Sequence, residues 1–342
     1  MKLGITVPYA DYLPREMVVG FVKEADRLGY DCAWVPEAYG WDAFTICTQL
    51  ALATERIRIG TGIVNVFSRS PALLGQTAAS LDLISRGRFI LGLGTSGHQV
   101  IEGWHGVKFE RGVRRMRETI DIVRMVLKRE RLKYDGEIFR LGEGLSRGLK
   151  LITQPIRDAV PIYLATLTPS GVALAGEVAD GWLPVFFSPG HFSKGLRAGL
   201  EKGAARGGRT LGDMSVCPVQ PVVVTDDRRA GRDAVRPHLA LYIGGMGSRE
   251  KNYYNQLWCS YGYRDEAIRI QDLYLDGRKD EAMQAVSDEM VDLVTIIGSA
   301  GECRERIEEL ARAGVSEVSL AISVPDLDPA QTVEALRALA PR

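Results

Sequence analysis

The chain has 342 residues, 46% of them hydrophobic and 25% charged, and its 43 Lys+Arg balance 43 Asp+Glu to a formal net charge of zero. This is globular composition, long enough for one large α/β barrel with insertions or for two domains. A neutral chain offers no electrostatic footprint for a nucleic acid or a membrane surface, and no apolar run reaches the length of a membrane span.

Strand-like and helix-like segments alternate from the start. Residues 3–7 read as a first strand rather than a secretory leader. Pro14 opens a helix with Val18, Phe21, Ala25 and Leu28 on one face, and Gly29 stops it. Residues 32–35 form the second strand, and Asp42 is the expected N-cap of a helix over 42–54. The third strand lies in Arg56-Ile57-Arg58-Ile59-Gly60-Thr61-Gly62-Ile63-Val64-Asn65, where two glycines interrupt an apolar run. Glycine inside a strand marks a bulge or the close approach of another group. A helix over about 70–85 follows, then a strand over 89–93 and a glycine-rich loop.

A helix is expected over 113–128, and Tyr134-Asp135-Gly136-Glu137 reads as a hairpin turn. Strands are expected at 161–165, 182–186, 219–224, 294–297 and 318–322, with helices after them and the last over 328–339. Ser299 and Glu302 have capping-box spacing. The strands are continuous apolar runs, which means burial on both faces of a parallel sheet. About eight β/α units predict a TIM (β/α)8 barrel over 1–342, with insertions near 95–112, 129–160 and 245–297. A doubly wound open sheet is the alternative.

Cys32, Cys47, Cys217, Cys259 and Cys303 are scattered, odd in number and without a C-x-x-C pair. They predict a reducing, cytoplasmic setting, with no disulfide framework and no metal site. In a barrel, function gathers at the carboxyl ends of the strands. The residues there are Glu37 and Trp41, Asn65, Gly94-Thr95-Ser96-Gly97-His98, and Thr166 to Gly171. Gly92-x-Gly94-x-x-Gly97 matches a dinucleotide fingerprint literally, but Gly103, Gly106 and Gly112 argue against the helix that must open on it. Thr168-Pro169-Ser170-Gly171 offers a helix start suited to a phosphate or simply a capped helix. Glu37 is either an acid–base group or a salt-bridge partner. The tryptophans and histidines, Trp104 and His105 among them, each have an ordinary structural reading beside a substrate-facing one.

Five stretches together carry a family likeness. They are Ile59-Gly60-Thr61-Gly62-Ile63-Val64-Asn65, Gly87-Arg88-Phe89-Ile90-Leu91-Gly92-Leu93-Gly94, Ser96-Gly97-His98-Gln99-Val100-Ile101-Glu102-Gly103-Trp104-His105-Gly106, Pro161-Ile162-Tyr163-Leu164-Ala165, and Leu174-Ala175-Gly176-Glu177-Val178-Ala179-Asp180-Gly181-Trp182. With them the chain resembles the luciferase-like monooxygenase superfamily, in its branch of coenzyme F420-dependent oxidoreductases and methylenetetrahydromethanopterin reductase-like proteins. The resemblance implies a bacterial luciferase-like TIM barrel that moves a hydride between the deazaflavin C5 and a small organic substrate. It implies a non-proline cis peptide at Gly62-Ile63, with Gly62, Ile63, Val64 and Asn65 backing the ring and Gly94, Thr95, Ser96 and Gly97 beside it. The phosphate contact falls at Thr166, Ser170, Gly171 and Val172. Glu37 and Ser96 are the candidates for polar contacts to the reacting region, and Trp41, Trp104 and His105 for the substrate side. Several relatives carry an aspartate-histidine pair after the second strand, where this chain has Pro36-Glu37-Ala38. A homodimer is expected by analogy. An FMNH2-dependent two-component monooxygenase and a non-catalytic flavin- or deazaflavin-binding protein are the alternatives.

Overall fold

The computed structural model describes residues 1–8, 14–144, 147–322 and 329–341. Its organising element is a ring of parallel strands. The first half runs β1 (Lys2–Thr6), helix α1 (Arg15–Leu28), β2 (Cys32–Val35), α2 (Ala43–Ala53), β3 (Arg58–Thr61), β4 (Val64–Asn65), α3 (Pro71–Ile84), β5 (Phe89–Gly94) and α4 (Gly112–Leu127). A hairpin, β6 (Tyr134–Asp135) with β7 (Arg140–Leu141), precedes β8 (Ile162–Ala165), α5 (Pro169–Val178) and β9 (Gly181–Trp182). Then come β10 (Ser215–Val216), β11 (Val219–Val224), β12 (Ile296–Gly298) and β13 (Glu317–Ala321).

β10 and β11 are two halves of one strand, broken at Cys217-Pro218 because proline has no N–H for the ladder. The first half pairs with β9, Ser215 opposite Gly181, and the second with β13, Val219 opposite Ser319. β13 in turn pairs with β1. These pairings close the sheet on itself, and the barrel reading stands over the open-sheet alternative.

Two expected strands differ. The run at 294–297 is not a ring member: Val294 ends a helix (Asp288–Val294), and among the described residues β12 pairs only with the far end of β11, Val222 opposite Ile296. The strand expected over 182–186 keeps its ladder only at Gly181–Trp182, with one further bridge from Val185 to Val219. The final helix is described as Pro329–Ala338; its expected start at Asp328 lies outside the described residues.

Alternation along the strands sorts side chains into two layers. Ile5, Ala33, Val35, Ile59, Leu91 and Leu93 face the helices and join the main core. Cys32, Trp34, Ile90, Tyr163, Leu183 and Cys217 fill the barrel interior. A third core, around Trp258, Leu239, Ile243 and Ile270, lies within the helical segment that follows β11. The amino-terminal floor of the barrel is polar. Glu317 accepts from Arg58 Nη2 at 3.0 Å, Tyr163 Oη at 3.1 Å and Ser215 Oγ at 3.0 Å, and lies 3.7 Å from Lys2 Nζ. Arg58 also pairs with Asp31.

Candidate functional site

The carboxyl mouth of the ring differs from the floor in what its strands carry. Among the described residues, the inward positions on the third, fourth and fifth ring strands there are Gly62, Gly94 and Ala165, so this side of the wall is largely backbone. A Cβ on Gly94 would stand 2.9 Å from Ile63 Cδ1 and 3.2 Å from the Ala165 carbonyl oxygen. Deeper down, the Thr61 hydroxyl donates to Gly92 O and accepts from Gly92 N, both at 2.8 Å, and a Cβ on Gly92 would land on the Thr61 carbonyl. The peptide between Gly62 and Ile63 is cis. Beneath this wall lies Trp34, whose ring rests 5.3 Å from that of Tyr163.

Asn65 ends the third strand as a structural clamp. Its Oδ1 accepts from the N–H groups of Phe67 at 3.0 Å and Ser68 at 2.8 Å. That fixes the amide, so its Nδ2 faces His105 Nε2 at 3.4 Å. The imidazole therefore accepts at Nε2 and carries its proton on Nδ1. Asn65 and His105, read separately from sequence, are thus brought together.

The loop after β5 turns at Ser96, in the left-handed region with φ 58°, and continues into a π-helical turn (Gln99–Trp104). No long helix opens until Gly112, which removes the geometry a dinucleotide fingerprint needs. Phe109 stacks on Phe67 at 5.2 Å and meets His98 at 4.1 Å, tying this loop to the segment after β4. Trp104 is 65% exposed and points away from that contact into solvent. At the fifth helix, Thr168 Oγ1 accepts from Gly171 N at 3.2 Å, and the Thr166 hydroxyl lies against Gly171, where a Cβ would displace it. Ser170 is exposed at the helix start, and Val172 is buried behind it. Trp182 Nε1 donates to the Thr166 carbonyl at 2.9 Å, holding this loop to the next strand.

Glu37 is fully partnered. Its two oxygens take a bidentate pair from Arg69 at 2.8 Å each, and Oε2 also accepts from Ala43 N at 3.0 Å. Arg69 reaches Asp42 as well and lies over the Phe44 ring at 4.9 Å. Trp41 Nε1 donates to the Pro36 carbonyl at 3.1 Å. Sequence reasoning missed Arg69. Its signal was a cation directly before the Ser70 N-cap, where the helix dipole disfavours positive charge unless carboxylates compensate.

A second missed group is aromatic. Phe186, just past β9, meets His238 at 5.8 Å, Tyr242 at 5.3 Å and Tyr254 at 5.9 Å. Burial pushes the His238 imidazole down to about 4, so it is neutral at pH 7. Among the described residues, no group of three His, Cys, Asp or Glu is placed to hold a metal ion, and no helix is long and apolar enough to cross a membrane.

Comparison with known proteins supplies the context for this mouth. The luciferase-like monooxygenase family matches residues 4–317. A Mycobacterium tuberculosis protein, named as a candidate coenzyme F420-dependent oxidoreductase, is 40% identical over 326 residues, covering 92% of this chain and 93% of its own. The 5,10-methylenetetrahydromethanopterin reductase of Archaeoglobus fulgidus is 30% identical over 325 residues, covering 93% and 92%. Among solved structures, the coenzyme F420-dependent tetrahydromethanopterin reductase of Methanopyrus kandleri superposes with a TM-score of 0.83 over 99% of this chain and 98% of its own, at 22% identity.

Proposed function

This chain belongs to the luciferase-like monooxygenase family, and on that premise we propose that it is a coenzyme F420-dependent oxidoreductase acting on a small organic substrate at the carboxyl mouth of its barrel. One observation carries the reading beyond the family: Gly62 and Gly94 line the mouth with bare backbone, packed so closely that a Cβ at Gly94 would press on Ile63 Cδ1 at 2.9 Å. A wall without side chains lets a flat tricyclic ring lie against backbone, and the names of the similar reductases support deazaflavin as that ring.

When bound, the reduced deazaflavin supplies a hydride from C5, or the oxidised form accepts one. The chain's own residues bind, orient and screen. Gly62, Ile63, Val64 and Asn65 would form one wall of the ring site, and Gly94, Thr95, Ser96 and Gly97 the other. Thr166, Ser170, Gly171 and Val172 would hold the phosphate of the cofactor tail at the helix start, where N–H groups and the dipole favour an anion. Ser96 would offer its hydroxyl to the reacting region, from a loop fixed in the left-handed turn. Glu37 would act within its pair with Arg69, so that the pair as a unit, rather than a free carboxylate, sets the charge at that side of the mouth. His105 would present its Nδ1–H to the substrate side, with Trp41 and Trp104 as walls, Trp104 after inward movement of its loop.

A second copy of the chain is the proposed partner. Leu52, Leu73, Leu83 and Ile84, on and beside α2 and α3, are exposed and apolar, and a homodimer would cover them. All five cysteines are free, which suits the proposed reducing cytoplasm.

The test is a titration of purified apo-protein, by calorimetry and fluorescence, with coenzyme F420 and FMN side by side. Tight F420 and weak FMN binding is the expected result. The reverse would overturn the assignment in favour of an oxygen-activating monooxygenase. Tight F420 binding without turnover across a carbonyl, imine and enone screen would leave a binding protein.

A further inference from the structure

Arg111, Arg114, Arg115 and Arg117 crowd the start of α4, whose first turn carries no acidic side chain. Three of these arginines have carboxylate partners. Arg111 pairs with Glu137, Arg114 with Glu118 at 2.8 Å and Glu137 at 3.0 Å, and Arg117 with Glu177. Arg115 has none among the described residues, and its Nε is buried without a hydrogen-bond partner. We propose that Arg115 is an anion-binding residue at the rim of the mouth, where it takes a carboxylate or phosphate group of the bound ligand. This rests on the functional reading above for the identity of that ligand, but not for the site itself.

The two acids whose charge reaches Arg115, Glu110 and Glu118, are engaged elsewhere. Glu118 accepts from Arg114 Nε at 2.8 Å and from the N–H groups of Glu137, Ile138 and Phe139 at 2.9, 3.0 and 3.0 Å, and Glu110 lies 2.7 Å from Lys108 Nζ. Two rings hold Arg115 instead. Its guanidinium carbon stands 4.7 Å from the Phe67 ring centre and 5.2 Å from that of Phe139. Ring faces fix a guanidinium without using its N–H groups. Nη1 and Nη2 are neither bonded by a described group nor buried, so that edge of the fork faces solvent. A fork held in this way matches two oxygens of a carboxylate or phosphate. An anion there also offsets a charge that burial disfavours.

Three contacts place this cation at the mouth. Phe67 lies two residues past Asn65, whose Oδ1 accepts from the Phe67 N–H. Phe109 stacks on Phe67 and meets His98 of the loop after β5. A Cβ built on Gly112 would stand 2.9 Å from Thr95 Cγ2, so α4 starts against that same loop, and Arg115 lies three residues further on.

The experiment titrates the full chain by calorimetry with two pairs of probes: hexanoate against hexanamide, and coenzyme F420 against its deazaflavin headgroup, which lacks the phosphate-bearing tail. In Arg115→Gln at least one anionic member is expected to lose about ten-fold in affinity, the scale of a hydrogen bond to a charged group, while its neutral counterpart binds as before. A loss for hexanoate assigns the site to a substrate carboxylate, and a loss confined to F420 assigns it to the cofactor tail. Arg115→Lys, which keeps the charge but not the fork, is expected to show a smaller loss in the same direction, and it serves in place of the glutamine variant should that one not fold. No loss in either pair would overturn the site. Should F420 fail to bind while an Arg115-dependent preference for hexanoate holds, the cofactor assignment falls and the anion site stands.

Discussion

The two ends of the barrel are built from the same strands and solve opposite problems. At the floor, Glu317, Arg58, Asp31, Lys2, Tyr163 and Ser215 turn their polar atoms toward each other and close the ring. At the mouth, a few residues further along the same strands, Gly62, Gly94 and Ala165 carry little or no side chain, and the wall is close-packed backbone. The floor is held by polar side chains, and the mouth is lined by glycine backbone. A parallel barrel thus separates stability from binding along a single axis.

That separation can be broken from either end. The largest effect is expected at the floor: Glu317→Ala removes the acceptor shared by Arg58, Tyr163 and Ser215, leaving Arg58 with Asp31, and should cost about 3–4 kcal/mol in denaturant unfolding, at roughly 1–3 kcal/mol per buried donor left unpaired, while the protein that remains folded binds F420 with unchanged affinity. A change in F420 affinity would mean that the two ends are coupled. Next, Gly92→Ala drives a Cβ onto the Thr61 carbonyl in the middle of the wall and should destabilise by about 3 kcal/mol, read as a lower Tm.

The third effect is one of pH. His238 is neutral in the fold, with a pKa of about 4, and the unfolded chain takes up the proton first, near the ordinary value of 6.5. Its contribution is complete above that value and is lost as pH falls from about 6.5 to 4, by roughly 3 kcal/mol. His238→Phe should flatten the unfolding free energy across this window; an unchanged slope would count against burial of the ring. The smallest effect in energy is the most informative. Gly94→Ala presses on the flexible end of Ile63, so Tm should hardly move while F420 affinity falls about ten-fold.

The ring was legible because its strands are short apolar runs bounded by turn residues, and because Pro14, Gly29, Asp42 and the Ser299–Glu302 pair mark helix ends by local chemistry. The run at 294–297 was half right: a strand is present at Ile296–Gly298, but Val294 ends a helix, because valine and isoleucine satisfy a buried helix end as well as a strand and composition does not say which neighbours are present. At the site, the glycine-rich stretches announced a close approach. The partner of Glu37 did not show, because Arg69 stands 32 positions away and only the fold brings the two together. The aromatic group was hidden for the same reason, since Phe186, His238 and Tyr254 belong to separate segments and each looks like an ordinary core residue alone.

The glycine-lined wall has a consequence for how this protein would be surveyed by mutagenesis. Alanine scanning works by deletion, and at Gly62 and Gly94 there is nothing to delete; the usual truncation series would pass over the wall of the site and report only its surroundings. Information held as absent atoms is erased by addition, so the informative scan runs the other way, one methyl group at a time. Sequence drift at these positions is similarly one-sided, because almost every replacement enlarges the residue and none can make it smaller.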